Sequence, residues 1–195
     1  MEKKEFTLTI YTENTIGLLN RIAIIFSKRK IIIESINSSP TEIKNINRFT
    51  LVLNESEEVV KKLVNQIGKQ IDVISVFYNT NDEIVWQELA LYKVPTHEIT
   101  EKVKVERLLR QFGARAVVIR NDYIVFETTG HRKETQNLMD ELSKYGLIEF
   151  VRSARIAILK SSNKFHSRIV EFSKNPAPEI IENEFLDKKN EIFDI

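Results

Sequence analysis

The sequence contains no cysteine. Disulfides, thiolate metal sites and cysteine nucleophiles are therefore excluded, and a reducing cytoplasmic setting fits the absence. It also lacks an excess of charge of either sign: 29 basic and 28 acidic side chains leave a net charge of +1. No global field draws the chain to nucleic acid or to anionic lipid. Long apolar runs are missing too. The stretches Ile22 to Phe26 and Ile31 to Ile33 are far too short to span a bilayer. The charged opening Met1-Glu2-Lys3-Lys4-Glu5 does not read as a secretory signal. The three histidines, His97, His131 and His166, have no metal-ligand spacing. His97 falls in an expected loop and His131 at a helix start, so both read as surface or capping groups. No phosphate-binding glycine loop, nucleophile elbow or zinc motif occurs, which points away from an enzyme.

What the sequence does have is 42% hydrophobic residues, enough to build real cores. Their spacing repeats one pattern twice. In the first half, Phe6, Leu8 and Ile10 alternate as a strand, and Leu18, Leu19, Ile22, Ile25 and Phe26 recur at helical spacing. The β-branched run Ile31 to Ile36 predicts a strand, and so does Phe49 to Leu53. Val59, Val60, Leu63, Val64 and Ile67 form a helical stripe, and Ile71 to Tyr78 predicts a closing strand. The second half predicts a strand over Glu88 to Val94 and a helix through Val105, Leu108, Leu109 and Phe112. A hairpin follows from Ala116 to Glu127 about Arg120-Asn121-Asp122. A helix through Thr135, Leu138, Met139 and Leu142 precedes one long strand from Ile148 to Leu159. Each half reads β-α-β-β-α-β, an α+β arrangement of two ferredoxin-like domains. The expected limits are 1–80 and 84–160. Units this small gain stability by pairing, so a homodimer is expected.

From Ser161 onward, Pro176, Pro178 and scattered polar residues break the periodicity. Residues 161–195 are expected to form a polar tail. Its Ile180, Ile181, Phe185, Leu186 and Phe193 leave docking on a partner as the other reading beside a loosely ordered terminus.

The segment Tyr11 to Ile22 joins the first strand to the first helix. Asn14 suits an N-cap, and Gly17 lets the backbone approach a neighbour closely. The N–H groups of Thr15, Ile16, Gly17 and Leu18 are expected to face outward at the positive end of the helix dipole, as a receptor for a carboxylate. Spacing alone favours an ordinary capped helix with a packing glycine, because such turns are common.

The block Glu13-Asn14-x-x-Gly17-x-Leu19-x-Arg21-Ile22, followed by Phe26-Ser27-x-Arg29 and Ile33-Glu34-Ser35-Ile36, resembles the ACT domain that opens the small subunits of acetohydroxyacid (acetolactate) synthase. Asn47-Arg48-Phe49-Thr50 and Lys69 to Val76 continue the likeness. In the second half, Glu88 to Val94 and Phe150 to Ala157 resemble the start and the last strand of that family's C-terminal domain. The resemblance implies a non-catalytic chain that binds no cofactor itself. It implies a large catalytic partner carrying thiamine diphosphate, FAD and magnesium, which the small subunit activates and subjects to feedback by valine. It places a small amino-acid effector at an ACT dimer interface, on Asn14, Thr15, Ile16, Gly17 and Leu18. The family commonly reads Arg-Gly-Tyr-Asn-Ile-Glu-Ser-Leu where this chain reads Arg29-Lys30-Ile31-Ile32-Ile33-Glu34-Ser35-Ile36. Ile32 thus replaces an asparagine that completes the effector pocket from the facing subunit, and a weakened valine response is expected. The alternative is a stand-alone ACT amino-acid sensor acting on another enzyme or on a transcription regulator. An RNA-binding reading of Arg110, Arg115, Arg120, Arg132, Arg152 and Arg155 lacks the aromatic sheet signature, and the resemblance gives these arginines to a partner surface or to solvent.

Overall fold

The computed structural model describes residues 2–100 and 103–160, and the expected tail 161–195 lies outside the described residues. The chain divides into two compact units, the second of which comprises Val85–Ile158. Each is a helix layer on an antiparallel sheet.

The first unit runs β1 (Lys4–Glu13), α1 (Leu18–Lys28), β2 (Ser35–Pro40), β3 (Ile46–Glu55), α2 (Glu57–Ile67) and β4 (Val73–Thr80). The sheet order is β2-β3-β1-β4, with β1 central. Its register sets Leu8 opposite Leu51 and Tyr78. Phe6, Leu8 and Ile10 point into the core, where Leu18, Ile22, Ile25 and Phe26 of α1 and Val60, Leu63 and Ile67 of α2 cover them. Leu19, expected on that face, is 46% exposed instead. Glu57 and Glu58 open α2, where acidic groups complement the helix dipole.

The β-branched run after α1 is not the strand its composition predicts. Lys30 takes a positive φ of 56° and the Ile31 N–H donates to the Phe26 carbonyl at 3.0 Å. The chain therefore turns under the helix. Ile31 is buried in the core, Ile33 packs against it, and strand pairing begins only at Ser35. β4 likewise starts at Val73 rather than Ile71, because a turn over Ile67 to Val73 occupies the preceding amides. Ile71 is left 94% exposed.

The second unit runs β5 (Ile84–Pro95), α3 (Thr96–Thr100), α4 (Val103–Gln111), β6 (Arg115–Ile119), β7 (Tyr123–Gly130), α5 (Arg132–Ser143), β8 (Glu149–Arg152) and β9 (Ile156–Leu159). The sheet order is β6-β7-β5-β8, and β9 also pairs with β5. β5 alternates buried and open along most of its length, the period-2 signature of a sheet with one covered face. Its inward side chains meet Val105, Leu109, Leu138 and Leu142. The buried Tyr92 hydroxyl donates to the Thr135 carbonyl at 2.8 Å and ties the sheet to α5. The Arg120 N–H donates to the Tyr123 carbonyl at 2.9 Å and closes the expected hairpin.

Three expectations fail in this unit. His97 sits in the short helix α3, not in a loop. The single strand expected over Ile148 to Leu159 is two strands, interrupted at Ser153. There the Ser153 hydroxyl, not a ladder carbonyl, accepts the Leu89 N–H at 2.9 Å. The break turns Arg155 inward: it is 2% exposed and its guanidinium lies 3.5 Å over the Trp86 ring. Arg152 turns inward too and pairs with buried Glu88 at 3.3 Å. Neither arginine is the surface group expected, because each is held by aromatic or carboxylate partners inside the unit. His131 does cap α5, with the Glu134 carboxylate accepting its N–H at 2.7 Å.

Candidate functional site

The strand-to-helix connection of the first unit is fixed by its neighbours. The Glu13 N–H donates to the Asp72 carbonyl at 3.0 Å, and the Asn14 N–H to the Asn45 carbonyl at 2.8 Å. Arg21, one turn into α1, pairs with Asp72 at 2.5 Å. The three loops at this end of the sheet are thereby locked together.

Gly17 is the N-cap of α1, with φ 83° and ψ −2°. Any other residue is disfavoured there by its Cβ. No side chain caps the helix and no acidic residue lies in its first turn. The Arg21 N–H returns to the Gly17 carbonyl, whereas the N–H groups of Ile16, Gly17 and Leu18 have no acceptor among the described residues. Unpaired amides gathered at the positive end of a helix form an anion receptor.

Two details differ from the sequence-based expectation. Thr15 contributes no free amide, since its N–H donates to the Glu13 carbonyl at 3.0 Å. Asn14 is not the cap; its Oδ1 instead accepts a hydrogen bond from Asn47 Nδ2 at 2.8 Å. With Oδ1 engaged, Asn14 has its amide N–H groups left to offer a ligand. Asn47, Asp72 and Arg21 all lie in the segments that carry the family resemblance. Their supporting role is set by loop proximity, which spacing does not reveal.

Leu18 is buried in the core, whereas Ile16 stands fully exposed beside the opening. Ile32 is 79% exposed and follows the C-terminal end of α1. A helix of 11 residues separates it from the Gly17 end, a rise of roughly 16 Å. One chain therefore does not bring Ile32 to the opening.

Elsewhere several exposed titratable groups are paired. Arg110 pairs with Glu106, and Arg115 with Glu127. With Arg152 and Arg155 turned inward, the basic surface that an RNA reading needs is much reduced. Among the described residues no helix is long and apolar enough to cross a membrane.

A tandem of two β-α-β-β-α-β units, the first with an uncapped glycine turn at its strand-to-helix connection, defines an ACT-type regulatory protein. Residues 8–75 match the model of the AHAS small subunit-like ACT domain, and residues 87–161 match that of the small subunit of acetolactate synthase. The acetolactate synthase small subunit of Bacillus subtilis is 36% identical over 163 residues, covering 83% of this chain and 93% of the relative. A probable acetolactate synthase small subunit of Archaeoglobus fulgidus is 30% identical over 159 residues, covering 81% of this chain and 98% of its own length. This chain belongs to the acetolactate synthase small-subunit family. The crystal structure of the Thermotoga maritima small subunit has the same fold, with a TM-score of 0.73 at 21% identity over 81% of this chain and 98% of that one.

Proposed function

We propose that this chain activates a large acetolactate synthase subunit in the cytoplasm and subjects it to feedback by a small branched-chain amino acid. The catalytic groups (thiamine diphosphate, FAD and magnesium) belong to the large subunit. This chain supplies no catalytic residue and binds none of these cofactors.

The observation that carries the reading is the uncapped opening of α1 at Gly17, set within a family match that spans most of the chain. The amides of Ile16, Gly17 and Leu18, with the Asn14 side chain, receive the effector's carboxylate. Homodimerisation completes the site. β2 is an edge strand, and Ile24, Ile32 and Ile36 are exposed apolar residues on α1, on the segment after it and on β2. A second copy covers them and brings its Ile32 to the opening across the distance that one chain leaves. Isoleucine offers an effector's ammonium no acceptor. Its presence in place of asparagine weakens valine binding by about 1–3 kcal/mol, roughly 5- to 150-fold. An effector shifts activity only through unequal affinity for two arrangements of the complex, so activation survives where feedback weakens.

The test is to assay the purified catalytic subunit with and without this protein, then to titrate valine. Co-elution, a rise in turnover and a weak valine response are expected. If the two proteins elute apart and turnover is unchanged, the chain is a separate ACT sensor instead.

A further inference from the structure

We propose that Asn47 and Thr12 form the inner wall of the effector site: Asn47 as a positioning residue that turns the Asn14 amide, and Thr12 as a further donor. Together they select a carboxylate over a carboxamide. The inference rests on the reading of the Gly17 opening as that site.

Asn14 is held at two points by the turn between β2 and β3. Its N–H donates to the Asn45 carbonyl at 2.8 Å, and its Oδ1 accepts from Asn47 Nδ2 at 2.8 Å. The turn is itself braced. The Thr41 N–H and hydroxyl both donate to the Ile46 carbonyl, at 2.8 Å and 3.1 Å, and Asn45 takes a positive φ of 64°. Asn47 therefore meets Asn14 from a fixed position. A primary amide has one accepting end and one donating end. With the accepting end engaged by Asn47, the Asn14 NH2 is the end left for a ligand. A carboxylate brings two accepting oxygens and a charge to such donors. A carboxamide brings one oxygen, no charge and an NH2 of its own.

A second observation points to the same place. Thr12 stands directly opposite Asn47 in the β1–β3 ladder, so both side chains leave the sheet on one face. Ile10 and Phe49, the neighbouring pair on that face, enter the core. The Thr12 hydroxyl is wholly buried and has no hydrogen-bond partner among the described residues. A buried hydroxyl without an acceptor destabilises the free protein. The effector's carboxylate, drawn to the amides of Ile16, Gly17 and Leu18, is the acceptor it lacks.

The test titrates the full chain with valine and with valinamide, followed by the Gly17 amide resonance. The parent should bind valine several-fold more tightly than valinamide. Asn47→Leu, or Asn47→Ala as an independent replacement, should narrow that preference several-fold, and should have no further effect once Asn14→Ala is in place. Thr12→Val should raise the melting temperature, because it removes the unpaired hydroxyl at nearly constant shape, yet bind valine several-fold more weakly. A threonine with only a structural role would not give these opposite signs. An unchanged preference in the Asn47 variants, an Asn47 effect that persists beside Asn14→Ala, or a Thr12→Val protein that melts lower or binds valine as the parent does would each overturn the proposal. A parent chain that binds neither ligand would instead remove the effector reading itself, and this inference with it.

Discussion

The guanidinium of Arg155 lies 3.5 Å over the centroid of the Trp86 indole, and that indole stacks on His131 at 4.2 Å between centroids. Arg155 is nearly fully buried, so its cationic attraction to the ring acts with little screening by water. Trp86 is the only tryptophan and reports on this contact directly. Arg155→Ala should destabilise the second unit by about 2–4 kcal/mol and shift Trp86 emission to the red. Denaturation followed by tryptophan fluorescence checks both; an unshifted midpoint would show the stack to be incidental.

Gly17→Ala tests the helix opening separately from packing. A Cβ at this position meets nothing within 4 Å, so the cost comes from φ 83° alone. A loss of about 1 kcal/mol is expected in urea denaturation, with the core packing unchanged. Effector binding should weaken as well, because relaxing φ turns the receiving amides. A variant as stable as the parent would mean that the turn is not held in the left-handed region.

Tyr92 makes stability depend on alkaline pH. Burial pushes its phenol pKa above the ordinary value of 10, although the Thr128 hydroxyl and Arg152 pull the other way. The unfolded chain then loses this proton at a lower pH than the folded one does. The associated stability is complete below pH 10 and is lost as pH rises from there through the folded pKa. Thermal melts of the second unit from pH 8 to 11 should show this decline. Tyr92→Phe should flatten it, while costing about 1 kcal/mol at neutral pH for the lost bond to the Thr135 carbonyl. An equal decline in both proteins would assign the effect elsewhere.

Ile32→Asn should restore a polar partner for the amino-acid effector. Calorimetric titration with valine is expected to give a Kd lower by roughly 5- to 150-fold. Because Ile32 is 79% exposed in the single chain, the substitution should leave monomer stability nearly unchanged. A valine affinity identical to that of the parent would remove Ile32 from the site.

Much of the fold was legible because its elements obey local periods. Phe6, Leu8 and Ile10 alternate, Val60, Leu63 and Ile67 recur by turns of a helix, and burial follows both patterns. The places where reading failed are those where a long-range contact overrode a local preference. Ile31 to Ile33 carry strand-forming side chains, yet the apolar gap beneath α1 takes Ile31 before a ladder can form. Ser153 replaces one ladder acceptor and so splits a strand that composition alone made continuous.

For the candidate site, the sequence by itself determined the materials: a glycine before a helix, no acidic residue in the first turn, and an isoleucine at position 32. Side-chain identity and short spacing are local properties, and they also carried the family likeness. Only the tertiary structure decided which amides remain open, because each loop's hydrogen bonds depend on what the sheet sets beside it. It took Thr15 out of the receptor through Glu13, turned the Asn14 amide through Asn47, and drew Arg155 inside against Trp86. Asn14 and Asn47, like Arg155 and Trp86, lie far from one another along the chain, and folding alone brings them within bonding distance; the short Thr15–Glu13 bond is local, but Glu13 itself is pinned by the distant Asp72.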